Sequence, residues 1–122
     1  MPTGWIGVDL DGTLAEYDGW TGNPLAIGQP VPRMVERVKK WLSDGEQVWI
    51  FTARVNFEGR PGPEQDLAYQ AQVRESIDRW SLKHIGVVLP VTYKKNYSML
   101  ELWDDRCVQI VPNTGRRADG KR

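Results

Sequence analysis

Trp5-Ile6-Gly7-Val8-Asp9-Leu10-Asp11-Gly12-Thr13-Leu14 is the stretch whose reading decides the fold. The apolar run that opens it reads as a short strand buried on both faces, ending in a turn. Two carboxylates separated by one residue would point to opposite faces if the strand continued. Gly12 lets the chain leave the strand and turn both acids toward one point. Paired acids at the end of a buried strand are costly unless a cation sits between them. A hard divalent cation suits carboxylate oxygens, Mg²⁺ first among them. A metal-assisted reaction on an anionic substrate is therefore the leading expectation. An Asp-Gly turn that merely closes a strand is the alternative for the dipeptide alone.

Outward from this strand, residues 15–32 are rich in Gly and Pro and read as a loop or flap. Val31, Met34, Val35, Val38 and Leu42 then mark one helical face, with Pro32 at the start and Gly45 at the end. Gln47 to Thr52 reads as a second buried strand, and residues 56–63 as a second loop. Pro63 and Glu64 open a helix whose face carries Tyr69, Val73, Ile77 and Trp80. A third strand is expected at Ile85 to Leu89, a short helix at 94–100, a fourth strand at Leu100 to Trp103 and a fifth at Val108 to Val111. Alternating strands and helices predict an α/β fold, a five-stranded parallel sheet with helices on both faces. One domain spans residues 1–114. The basic segment 115–122 reads as a disordered, solvated tail.

With 122 residues the chain supports one core. Lys+Arg and Asp+Glu are equal at 16 each, so net charge gives no indication of a nucleic-acid or membrane partner. One cysteine, Cys107, excludes an internal disulfide and reads as a small core filler. No apolar stretch approaches a membrane span and no signal segment is evident, so a cytoplasmic protein without an obligate protein partner is expected. His84, the single histidine, falls away from the expected site. Trp5, Trp41, Trp49, Trp80 and Trp103 fall at core positions and read as packing.

Asp9, Asp11, Thr52, Asp104 and Asp105 are the polar residues that packing does not explain, and each lies at the end of an expected strand. In an open parallel sheet, ligands bind at those carboxyl ends. A phosphate monoester brought there would be repelled by the carboxylates unless Mg²⁺ and a lysine offset the charge. Asp9, last on the rigid strand, suits nucleophilic attack on phosphorus. Asp11, where the chain has begun to turn, suits proton transfer to the leaving oxygen and from water. Thr52 offers a hydroxyl to the phosphoryl oxygens, Lys94 or Lys95 (Lys95 preferred) a positive charge. Asp104 completes the metal shell, with Asp105 as a further ligand or a support behind it.

These motifs resemble the haloacid dehalogenase superfamily: Asp-Leu-Asp-Gly-Thr at 9–13, Ile-Phe-Thr at 50–52, a later lysine, and Asp104-Asp105 after the fourth strand. The order matches from residue 5 to residue 111. The resemblance implies Mg²⁺ dependence and an aspartyl-phosphate intermediate. By position it implies Asp9 as nucleophile and metal ligand, and Asp11 as acid/base with its backbone carbonyl on the metal. It also implies a Rossmann-like sheet, Thr52 as phosphate donor, Lys94 or Lys95 (Lys95 preferred) as the lysine, since spacing does not separate the two, and Asp104 as metal ligand. Neither 14–32 nor 53–66 has room for a cap domain, so the chain resembles the capless phosphatases. Thr52-Ala53-Arg54 and Asp104-Asp105-Arg106 further resemble the phosphatase half of bacteriophage polynucleotide kinase-phosphatase. That likeness implies Arg54 and Arg106 as substrate-binding residues and a nucleic-acid 3′ end as an alternative to a small phosphorylated substrate, with Trp20 available for stacking.

Three rivals remain. A dehalogenase needs no acid/base at the position of Asp11. A receiver domain places its Asp and Thr after later strands. A non-catalytic binding protein of the same fold would ordinarily lack one of the acids.

Overall fold

The structure, a computed structural model, describes residues 4–59 and 62–121. Four strands, β1 (Trp5–Asp9), β2 (Gln47–Phe51), β3 (Val91–Thr92) and β4 (Met99–Trp103), form one sheet in the order β3-β2-β1-β4. Every pairing in it is parallel. Two α-helices, α1 (Pro32–Ser43) and α2 (Leu67–His84), connect the first three strands, and 3₁₀ turns occupy Ala53–Val55 and Gly62–Gln65. The parallel α/β class is as expected; the number of strands is four rather than five.

Local chemistry explains the helix limits. Pro32 stands in the first turn of α1, where its missing N–H removes nothing, and Gly45 leaves that helix at φ +86°. Asp66 caps α2 by accepting the Ala68 N–H at 2.9 Å. Met34, Val35 and Val38 of α1, and Val73, Ile77 and Trp80 of α2, are buried in one cluster with Ile6, Val8, Val48 and Ile50.

That cluster corrects the expectation of helices on both faces. The β1→β2 and β2→β3 crossovers step in the same direction across the sheet, and right-handed crossovers in one direction lie on one face. Both helices therefore cover the face carrying Ile6 and Val8. On the opposite face Trp5 and Trp49 stack at 4.6 Å between ring centroids. The β3→β4 connection carries no helix at 94–98, contrary to expectation, and Asn96 Oδ1 accepts the Trp5 Nε1–H there at 3.0 Å.

Two strands were misplaced by the sequence reading. Residues 85–89 serve the end of α2: Ser81 Oγ donates to the Val87 carbonyl at 2.6 Å and accepts the Leu89 N–H at 3.1 Å. Pairing with β2 starts only at Val91. Residues 108–111 do not join the sheet. Ile110 instead bridges antiparallel to Arg117, Val111 N–H donates to the Arg116 carbonyl and Ala118 N–H to the Gln109 carbonyl, both at 2.8 Å. The basic segment, expected to be a disordered, solvated tail, is exposed and is hydrogen-bonded back onto the chain as far as Ala118. Cys107 is exposed rather than a core filler. Among the described residues no helix is long and apolar enough to cross a membrane.

Candidate functional site

The carboxyl ends of β1, β2 and β4 meet at a crevice of about 400 Å³. Its floor and sides include Asp9, Asp11, Thr52, Arg54, Asp104 and Arg106, all named from the sequence; Tyr17, Trp20, Phe57, Glu64 and Tyr69 form the rest of the wall with Pro24 and Ala53.

The turn after β1 builds the centre. Leu14 N–H returns to the Asp9 carbonyl at 3.1 Å, Ala15 N–H to the Leu10 carbonyl at 2.8 Å, and Gly12 N–H to the Ala15 carbonyl at 2.8 Å. Gly12 has φ +92°, and a Cβ there would stand 2.5 Å from Asp105 Oδ2. The positive φ calls for glycine; a Cβ would meet only the far end of the exposed Asp105 side chain. Thr13 Oγ, in the same turn, is buried without a hydrogen-bond partner in the structure.

Asp9, Asp104 and Asp105 each bring one carboxylate oxygen into a group whose members all lie within 4.8 Å of one another. The Asp9 carboxyl is pushed up to about 8, by burial first, then by a hydrogen bond to Asp105 and the charges of Asp104, Asp105 and Asp11. Crowding of this kind is what a bound cation relieves, and an all-oxygen set of carboxylates suits a hard ion such as Mg²⁺. The Asp11 carboxylate is not part of this group.

Asp11 is instead gripped by Arg54. Arg54 Nε donates to Asp11 Oδ2 at 2.7 Å and Nη2 to Oδ1 at 2.8 Å, a two-pronged pair with side chains 8% and 20% exposed. A third donor, Nη1, reaches the Pro24 carbonyl at 3.0 Å, and the guanidinium lies 5.5 Å from the centre of the Trp20 ring. Arg54, expected to contact substrate, thus ties Asp11 to the flap. The flap is also fixed at its base, where Ala15 bridges Pro30 and Trp80 Nε1 donates to the Gly28 carbonyl at 2.9 Å. Thr52, 2% exposed, accepts the Arg54 N–H at 3.1 Å; its own hydroxyl hydrogen remains for another acceptor.

The other expected residues are held less tightly. Asp104 Oδ1 accepts the Arg106 N–H at 2.7 Å, and Asp105 and Arg106 are exposed. Lys94 reaches Glu58 Oε1 at 3.3 Å and lies over Tyr93. Lys94 and Lys95 both stand outside the lining of the crevice. The Cys107 thiol is pushed up by desolvation, then by Asp104 and Asp9, while the Lys95 charge opposes this. His84 packs against Trp80 at the far end of α2. Sequence reasoning missed Tyr17, Phe57 and Glu64 as wall residues, although Tyr17 and Phe57 stand in the Gly- and Pro-rich loops, where an aromatic has no strand or helix face to pack on.

Among solved structures, the chain is similar to a conserved protein of Bacteroides thetaiotaomicron. The TM-score is 0.50 at 22% identity, covering 88% of this chain and 80% of that one, a likeness that bears on the fold alone. No protein-family description and no curated protein matches the chain.

Proposed function

We propose that this chain is a Mg²⁺-dependent phosphomonoester hydrolase of the haloacid dehalogenase type, without a cap domain. The observation that carries the reading is the Asp9 carboxyl, half-buried at the end of a central strand and pushed up to about 8 within a cluster of three acids. Asp9, Asp104 and Asp105 would hold the ion, which when bound offsets their charge and that of a phosphate dianion. Asp9 then attacks phosphorus, and the resulting aspartyl phosphate divides one displacement into two. Thr52 donates its hydroxyl to a phosphoryl oxygen. Asp11 transfers a proton to the leaving oxygen and later accepts one from water. Each Asp11 oxygen accepts once from Arg54, which leaves a lone pair on each for the proton in transfer, and a phosphoryl oxygen is a competing acceptor for the guanidinium. Lys95 is the lysine of this scheme, since Lys94 is engaged by Glu58.

Hydrolysis of an aryl phosphate, followed with Mg²⁺ and with chelator, tests the reading. Turnover should require the ion and fall at least about 10⁴-fold in Asp9→Asn, which loses the attacking group. Wild-type turnover that persists in chelator, or an Asp9→Asn variant as active as wild type, would overturn it.

A further inference from the structure

The proposed chemistry uses Asp9, Asp11, Thr52 and the acidic pair, and leaves the aromatic part of the crevice wall without a task. Trp20 stands 58% exposed in that wall, although it is the largest apolar side chain of the flap. It is not loosely placed. Arg54 lies over the ring at 5.5 Å and also fixes the flap through the Pro24 carbonyl, so the indole is held beside the very group that grips Asp11. Phe57 and Tyr69 stand edge to face at 6.3 Å in the same wall. An indole with open surface, lining the same crevice as the acidic centre, is a stacking platform. A crevice of about 400 Å³ lies at the small end of the range for ligand pockets, enough for one base, one sugar and one phosphate. Equal numbers of acidic and basic residues give no field favouring a long polyanion.

We infer that the aromatic wall takes a nucleobase, so that the substrate class is a nucleoside monophosphate whose base stacks on Trp20. The inference rests on the phosphatase reading for the fate of the phosphate, but not for the seating of the base.

The test compares adenosine 5′-monophosphate with ribose 5-phosphate, which presents the same ester without a base. For the wild type, kcat/KM should favour the nucleotide by about 10-fold or more, mostly through KM. In Trp20→Ala the ratio should fall toward one, and Trp20→Phe should restore it. Calorimetric titration with adenosine and with ribose, neither carrying phosphate, reads the platform without the chemistry: adenosine should bind to wild type and not to Trp20→Ala, and ribose to neither. Adenosine binding without hydrolysis of any ester would sink the phosphatase reading and uphold the seating of the base on Trp20. Hydrolysis of both esters with equal kcat/KM, and no heat with adenosine, would overturn the inference and leave the phosphatase standing. A 3′-phosphorylated oligonucleotide preferred over the mononucleotide would also overturn it, in favour of a polymer end.

Discussion

On the wall of the crevice formed by β1, β2 and the Thr52 turn, Asp11, Thr52 and Arg54 are held by hydrogen bonds between elements, whereas the wall at the end of β4 faces solvent. Thr52 is sealed, Arg54 is nearly so, and both Asp11 oxygens accept from Arg54. Asp105 and Arg106 are exposed, and Asp104 is held by neighbours in the chain, the Arg106 N–H and the Cys107 thiol. The difference has a physical origin. β1 is paired along both edges, while β4 is paired with β1 alone, and the chain beyond it turns back on itself instead of adding a strand. Reaction geometry belongs on the inner wall, where a group is held by several partners. The outer wall suits an ion that draws its ligands into place.

Substituting one acid from each wall should break the symmetry of roles most visibly. We expect Asp11→Asn to lower kcat by about 10²–10⁴-fold with little change in the Mg²⁺ requirement. Asp104→Asn should instead raise the Mg²⁺ concentration for half-maximal rate by at least about 10-fold, with kcat at saturating ion closer to wild type. Equal effects of the two variants on kcat and on ion dependence would erase the distinction between the walls.

Arg54→Lys probes the inner wall by stability. A lysine reaches Asp11 as a point charge and cannot also hold the Pro24 carbonyl in a planar fork. The variant should lose about 1–3 kcal/mol in urea unfolding, and amides of residues 17–26 should exchange faster. An unchanged midpoint with unchanged exchange would mean that the Asp11 clamp does not secure the flap.

A further effect concerns proton uptake by the metal-free protein. The Asp9 carboxyl rises from 3.8 to about 8 on folding, so between those values the folded chain keeps a proton that the unfolded chain has released. Stability should therefore fall as pH rises from about 4 to about 8 and level off above that. Asp9→Asn should flatten this slope. Urea midpoints in chelator across that range measure it, and a stability that rises with pH through the same window because of Asp9 would contradict the assignment.

Much of the inner wall was legible in the sequence because its signals are local. An apolar run, two acids and a glycine fix β1 and its turn, and Thr52 follows directly on the second strand. The Arg54–Asp11 pair was not legible, because 43 residues separate the partners and no spacing rule joins them. Ile85 to Leu89 has the composition of a strand, yet only Ile85 and Leu89 are buried while Val87 and Val88 are exposed, since Ser81 ties the segment to the end of α2. Val108 to Val111 misled for a related reason. Asn113 at φ +65° and Gly115 at φ +71° turn the chain sharply, so its strand-like residues find partners a few positions on instead of in the sheet. Pro112-Asn113-Thr114-Gly115 was the available turn signal.

The central place of β1 governs how the molecule opens. A strand hydrogen-bonded on both edges and packed under two helices exposes its amides only when the whole sheet comes apart, while a two-residue edge such as β3 frays with little loss. Asp9 therefore belongs to the slowest-exchanging part of the chain. Partial unfolding that frees β3 or the 109–118 turn leaves the Asp9 backbone in place, so the point from which its carboxylate projects is as durable as the fold itself.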